Sequence, residues 1–404
     1  MGTPVVVLDI GASKIHCMVG EAVDDLGLKI LGMGLSPCDG IRRNVVIDMP
    51  KMVEAIRSSV QEAERSAGLK IAGAYVGVAG QDVATHTSRS TVAISGSSNP
   101  IDENDVHRAL VAAEEASFPS NTTVLHRFVQ RYAVDGEPVQ NPMWLHGSRL
   151  EVETLSTTAP SHVCTTLRRA VSQVGVDIAG FILEAVAVGS SLLSIDEKEM
   201  GVGVLDVGAG TSDLSTYRGS LRHLAEIPFG GEDITKDLSV VLNMSPREAE
   251  RLKIEQGIVC CPAEEADETI SFRTTAGRTH TLVKHQLSAV IEARQQEILE
   301  FVAKELEHSQ QEHLLAAGMV LTGGGALLTN IDQLAEEILG MPVRIGTPQE
   351  VVAPEAIEPT YATAVGLLNF ATTQHDSTGG IIPSPETGGG GILDRISRIF
   401  SFLM

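Results

Sequence analysis

Two aspartates, each closing an apolar run and followed at once by a turn of small residues, raise the question of phosphate chemistry. Residues 5–13 read VVVLDIGAS and residues 202–210 read VGVLDVGAG, identical at six of nine aligned positions. A phosphate held by protein needs converging backbone N–H groups with no side chains in the way. Gly11-Ala12-Ser13 and Gly208-Ala209-Gly210-Thr211 both supply such a cradle. Asp9 and Asp206 set one carboxylate beside each turn, where it could hold the water shell of Mg²⁺, an ion that takes few carboxylates plus water and phosphate oxygens. Two such turns facing each other would grip a nucleoside phosphate tail from both sides. A third run, Gly323-Gly324-Gly325, follows the apolar MVLT and is expected to open a helix and let the backbone approach the nucleoside. One glycine turn after a strand is commonly a packing device; three, two of them near copies, point to a ligand.

Other chemistries find no support in the 404 residues. Neither repeat matches GxGxxG, and the Walker pattern GxxxxGK[ST] is absent. The twelve histidines form no HExxH-like set, and Ser13 and Ser190 lack a GxSxG context. Thirty basic against 52 acidic side chains give a net charge of −22, which argues against nucleic acid as a partner. Five cysteines without CxxC spacing suggest neither a disulfide framework nor a zinc site, and a reducing compartment is expected. No secretory signal and no apolar run of about 20 residues is seen, so membrane contact is expected to be local.

The elements that must position these turns follow from periodicity. KIHCMVGE after the first turn continues as a strand, so the opening is a β-hairpin and not a strand leading into a helix. Asp48, Pro50 and apolar Met52, Val53, Ile56 and Val60 predict a capped helix to about Gly68, followed by a strand in IAGAYVGVAG. From about residue 83 the texture turns to Ser/Thr-rich alternation, an acidic-start helix after Asp102 and two strand-like runs, marking an α+β insertion over 83–162. Helices are predicted over 162–174 and 185–193. Ser245, Pro246 and Glu248 predict a helix start closed by a capping box. Residues 260–282 are strand-like, 287–307 helical, and PTYATAVGLLNFA forms a final helix. QHDSTGGIIPSPETGGGG cannot bury a core and reads as a linker.

With DIGASK, DVGAGTSD and LTGGGALL in place, the chain resembles the actin-like ATPase superfamily, and within it the FtsA family of bacterial cell-division proteins. VLHRFVQRYAVDG, VQNP and LHGSRLEVETL resemble the insertion peculiar to that family; PFGGEDITKDL, AERLK and an apolar tail follow in family order, so the likeness spans nearly the whole chain. It implies an α/β actin-like ATPase fold of two related halves. The first subdomain (1A) would hold residues 1–82, 163–198 and 358–372, the insertion (1C) 83–162, the second (2A) 199–239 and 313–357, and a smaller subdomain (2B) 240–312. A linker would span 373–391 and an amphipathic helix 392–404. The resemblance implies ATP with Mg as cofactors. Gly11, Ser13 and Lys14 would contact phosphate from one side and Gly208, Gly210 and Thr211 from the other. Gly323, Gly324 and Gly325 would line the nucleoside, Glu250 and Lys253 approach ribose and adenine, and Asp9 and Asp206 sit by the metal. Glu184 matches the position where chaperone relatives orient the attacking water, with a helix-start surface residue as the alternative. Ala12 stands where many members carry Thr, and Arg131 where an acidic residue is common.

The last thirteen residues, ILDRISRIFSFLM, place Ile392, Leu393, Ile396, Ile399, Phe400 and Leu403 on one helical arc of roughly 120°. Arg395 and Arg398 lie on the polar side, making the tail locally cationic. At about 20 Å such a helix is too short to span a bilayer and suited to lie in its interface. The resemblance then implies a peripheral protein on the cytoplasmic face of the cell membrane at the division septum, tethering filaments of tubulin-like FtsZ and helping recruit later division proteins. It further implies an FtsZ C-terminal peptide docked on 240–312, self-association into actin-like filaments, inner-leaflet lipid contact, and at most slow ATP hydrolysis. The alternative is an actin-like cytoplasmic component of type IV pilus assembly; a sugar kinase or chaperone ATPase is the rival of another class.

Overall fold

A computed structural model describes residues 3–23, 27–80, 83–94, 100–114, 118–352 and 358–378. The nine-residue repeat in the sequence proves to be the visible part of a much larger one. In the first half, Val5–Ile10, Lys14–Val23 and Gly27–Pro37 form an antiparallel meander, and Gly73–Val78 and Asp177–Leu183 add on its other side, parallel to the first strand and to each other. In the second half, Val202–Val207, Ser212–Arg218 and Ser220–Ile227 make the same meander, with Met319–Thr322 and Val343–Ile345 added in parallel. The two sheets share one topology, apart from the short Val351–Val352 strand that extends the first. Both repeat strands even carry the same burial pattern, every residue buried except the aspartate.

The expected hairpin after Asp9 is present, with Ile10 opposite Ile15. Met49–Ala67 is the predicted helix: the Asp48 carboxylate accepts from the Lys51 N–H, Pro50 sits in the first turn, and Gly68 closes it in the left-handed region at φ 69°. Its apolar stripe, Met52, Val53, Ile56 and Val60, is buried against the first sheet, each large side chain stabilising the fold by about 1.5–3 kcal/mol. Helices Glu184–Leu192 and Ala362–Thr378 share a core with strands of both sheets, Val5 and Val7 from one, Val202, Val204 and Val320 from the other. The two sheets thus share one buried apolar core.

Residues 84–160 form a separate four-stranded antiparallel sheet, in order Ala84–Ala93, Arg149–Pro160, Thr122–Val134 and Glu137–Val139. Helix Glu103–Glu114 covers it over a core of its own that includes Ile101, Val106, Leu110, Tyr132 and Leu150. His126, in its third strand, accepts from the Leu183 N–H at 2.9 Å and lies edge-on to Phe370, joining this sheet to the body.

Three local expectations are corrected. Ser245 does cap helix Pro246–Gln256, accepting from the Glu248 N–H, but Glu248 closes no capping box. Its carboxylate instead takes the Arg251 guanidinium and the Arg273 N–H, because a charged donor and an incoming strand compete better than the cap amide. The glycine run after Met319–Thr322 opens a four-residue 3-10 turn, Gly324–Leu327, and the α-helix Ile331–Leu339 starts separately. The final helix continues past Thr372 to Thr378, into the stretch expected to be linker. The rest of that linker and the tail from Ile392 to Leu403 lie outside the described residues.

Candidate nucleotide site

The two repeated turns share one construction. The Gly11 N–H donates to the Lys14 carbonyl at 3.1 Å and the Gly208 N–H to the Thr211 carbonyl at 2.9 Å. They also meet: a Cβ built on Gly210 would lie 3.4 Å from the Ala12 Cβ. Among the described residues, the N–H groups of Ala12, Ser13, Ala209 and Gly210 have no acceptor within the chain. Four bare amides on two touching turns form a cradle that suits phosphate oxygens. Lys14 stands at its edge; burial lowers its ammonium while Asp9, Asp206 and Glu358 pull it back up.

Behind the turns lies a knot of carboxylates. Glu184, Asp206, Asp213 and Glu226 line a cavity of about 130 Å³, room for a few waters at about 30 Å³ each. Burial holds Glu184 well above the ordinary carboxylate range, reinforced by Asp9, Asp213, Asp206 and Glu226. Burial does the same to Asp213, with Glu226 and Asp206 adding to it. Asp206 is pushed up to about 6 by burial, against a 2.9 Å hydrogen bond from Thr363 Oγ1 to its Oδ2. Asp9 lies 3.1 Å from His16 Nδ1. Glu184 is the first residue of a helix, but not the surface residue of the alternative: it lines the cavity among acids. Among the described residues no three side chains converge to grip a metal directly. A hydrated ion held through water and phosphate oxygens is the form that this donor set fits. It would also relieve the mutual repulsion that raises these carboxyls.

Asp213 and Glu226 are additions to the sequence reading. Asp213 has a signal, since it ends DVGAGTSD and pairs across the hairpin with Asp206. Glu226 has none; only the meander brings it opposite Asp213.

The second turn is braced from behind. The N–H groups of Gly231 and Glu232 donate to the carbonyls of Gly208 and Ala209 at 2.9 and 2.8 Å, tying the turn to helix Gly231–Val241. Lys253 Nζ donates to the Gly231 carbonyl at 2.8 Å and to Thr235 Oγ1 at 2.9 Å, and pairs with Glu250 at 2.7 Å. Glu250 and Lys253 thus come together, and they buttress the turn. The helix carrying them ends against the third glycine run: the Thr329 N–H donates to the Gly257 carbonyl at 3.2 Å. In that run the glycines divide by role. A Cβ on Gly323 (φ 79°) would sit 2.2 Å from Asp206 Oδ1, and one on Gly325 2.2 Å from Val207 Cγ1, so both are demanded by packing. Gly324 would meet nothing within 4 Å, leaving it as the backbone open to a ligand.

Comparison with known proteins gives one family for the sequence and one fold for the body. The family model "Cell division protein FtsA" matches residues 203–366, and "SHS2 domain inserted in FTSA" matches 80–158. The cell division protein FtsA of Pseudomonas aeruginosa is 34% identical over 98% of this chain and 97% of its own length. That of Neisseria meningitidis is 36% identical over 97% and 96%, and that of Bacillus subtilis 36% over 91% and 83%. Among solved structures, a PilM-PilN type IV pilus biogenesis complex superposes with a TM-score of 0.63 at 17% identity, over 91% of this chain and 98% of that one. MreB5 of Spiroplasma citri bound to ADP superposes with 0.57 at 14%, over 92% and 96%. These likenesses establish the actin-like fold.

Proposed function

Because this chain belongs to the FtsA family of cell division proteins, we propose that it is an ATP-binding, actin-like adaptor that tethers FtsZ filaments to the cytoplasmic membrane at the division site. One observation carries the nucleotide part: the two bare-amide turns touch at Ala12 and Gly210, so one phosphate chain can be held from both halves at once. The bound state of an MreB5 relative, crystallised with ADP, supports the same use of the fold.

In this reading Gly11, Ser13 and Lys14 hold phosphate from the first half, and Gly208, Gly210 and Thr211 from the second. Gly324 borders the nucleoside, with Gly323 and Gly325 shaping the run; Glu250 and Lys253 lie towards the ribose and adenine. Asp9 and Asp206 hold Mg²⁺ through its waters, the ion supplying charge neutralisation among the carboxylates. Glu184 faces the water cavity and orients water. Hydrolysis is slow in this reading, and ATP acts mainly on conformation and assembly.

The separate sheets support a division into subdomains like that expected from sequence, except that Val351–Val352, expected in the second half, joins the first sheet; FtsZ's C-terminal peptide docks on 240–312 in this reading. The tail is the membrane contact. One such helix binds lipid weakly and reversibly, whereas many tails on one polymer bind tightly through effective concentration. Membrane attachment is therefore coupled to self-association. No helix among the described residues is long and apolar enough to cross a membrane, in keeping with peripheral attachment. Co-sedimentation with liposomes and FtsZ polymer, with and without ATP, tests the reading: the full chain carries FtsZ to lipid, and removal of residues 388–404 stops it. Failure of the full chain to bring FtsZ down with lipid would sink the adaptor role, and lipid binding equally tight for an assembly-deficient monomer would sink the coupling.

A further inference from the structure

Between the first sheet and helix Met49–Ala67 the chain makes a small hairpin, Ile41–Arg42 against Val45–Val46, whose tip is Arg43-Asn44. It belongs to the first half, yet all its polar side-chain contacts are with the second. Asn44 Nδ2 donates to Thr211 Oγ1 at 3.3 Å and to Glu226 Oε2 at 2.7 Å. Arg43 donates to Asp233 Oδ1 at 3.0 Å and lies 5.7 Å from the centre of the Phe229 ring. A Cβ on Gly210 would lie 3.1 Å from the Arg43 nitrogen, closer than it would lie to Ala12. Three segments therefore converge on Gly210: the two phosphate turns and this tip.

We propose that Arg43 and Asn44 form a third wall of the phosphate site and recognise the terminal phosphate of a nucleoside triphosphate. The inference rests on the nucleotide reading above. Four observations lead to it. First, Asn44 stands between the second phosphate turn and the cavity, since its two acceptors are Thr211 and the cavity residue Glu226. In the nucleotide reading the attacking water stands in that cavity, beside Glu184, and an attacking water meets the end of a phosphate chain and not its middle. Second, a Thr211 hydroxyl that accepts from Asn44 keeps its own hydrogen free to donate to a phosphate oxygen. Third, the site holds many carboxylates and few cations, so a triphosphate needs positive charge. Arg43 is 46% exposed, and its partner Asp233, at 11%, keeps its bond from the Gly230 N–H when the guanidinium turns away, so the guanidinium can reach a phosphate. Fourth, both tip residues are held in the left-handed region, at φ 46° and 59°. A two-residue turn of this kind favours Asn-Gly, and an arginine kept there against backbone preference is strain of the sort found at ligand sites.

Calorimetric titration of the full chain with MgATP and MgADP tests the assignment. In the R43A/N44A variant the affinity for MgATP falls about tenfold or more while that for MgADP changes less than about threefold, and R43K recovers part of the loss. Equal losses for both nucleotides, or none, overturn it and leave the tip a plain clasp between the halves. If the unaltered chain binds neither nucleotide, the nucleotide reading itself fails, and the tip's role with it. Should R43A/N44A not fold, amide exchange of residues 41–47 in the unaltered protein decides: slower exchange with MgATP than with MgADP supports the assignment, and identical exchange overturns it.

Discussion

The two halves hold nearly the same turn in different ways. The first turn carries its cation, Lys14, in its own hairpin, with no short ion pair among the described residues and with burial working against its charge. The second is gripped from behind by helix Gly231–Val241, whose first carbonyl is in turn gripped by Lys253. The backbone cradle is duplicated; the support is not. Among the described residues the first turn is tied only within its own meander, the Cys38 N–H donating to the Ser13 carbonyl at 2.9 Å, whereas the second is tied to a helix outside its meander. The same asymmetry appears one strand over. Gly323 and Gly80 each follow the strand parallel to a repeat strand, both at positive φ. A Cβ on Gly323 collides with Asp206 and Val207, whereas one on Gly80 comes, among the described residues, no closer than 3.7 Å, to Asn44 Cβ.

The largest expected effect breaks that second pair. Gly323→Ala forces both a collision and a left-handed alanine and should destabilise by about 4 kcal/mol or prevent folding, while Gly80→Ala costs about 1 kcal/mol of backbone strain, read by urea denaturation. Comparable costs at the two sites would show that the halves are braced alike. Next, Lys253→Ala removes a part-buried three-partner ammonium and should cost about 2 kcal/mol, whereas Lys14→Ala leaves stability unchanged or slightly higher and weakens ATP binding instead. Thermal unfolding and nucleotide titration of both variants separate these outcomes.

The third prediction uses a joint that the second half lacks. Burial lowers His126 to about 4 from its usual value near 6.5. Its neutral ring accepts from the Leu183 N–H, one residue before Glu184. The unfolded chain takes up a proton below pH 6.5 and the folded chain only below about 4, so stability falls as pH drops through that window, by up to about 3 kcal/mol. In His126→Gln this share of the acid sensitivity disappears; denaturation curves of the two proteins at pH 7 and pH 4.5 that shift in parallel would refute it. The smallest effect is at Gly324, where alanine meets open space: folding stability should stay within about 0.5 kcal/mol while nucleoside affinity falls. Unchanged affinity would move the nucleoside away from this run.

Much of the fold was legible because its signals are local. Asp48, Pro50 and Gly68 bound their helix through contacts a few residues long, and the hairpin after Asp9 follows from two adjacent apolar runs. The capping box at Ser245 failed for the opposite reason: Glu248 met the Arg273 N–H, 25 residues away, which no local pattern announces. The glycine run at 323–325 showed that something must come close, but not that for two of its three residues the neighbour is Asp206 or Val207.

By itself the sequence determined the duplicated aspartate-and-small-residue turn, the insertion's change of texture and the amphipathic pattern of the tail, because each is written in neighbouring residues. Only the tertiary structure decided that the duplication extends to a whole five-stranded sheet, that Asp213 and Glu226 stand beside Glu184, and that Asn44 reaches Thr211 and Glu226 while Arg43 reaches Asp233. Those last contacts join residues 167, 182 and 190 positions apart. Their physical cause is the packing of two sheets on one shared core, and the order of residues along the chain carries no trace of it.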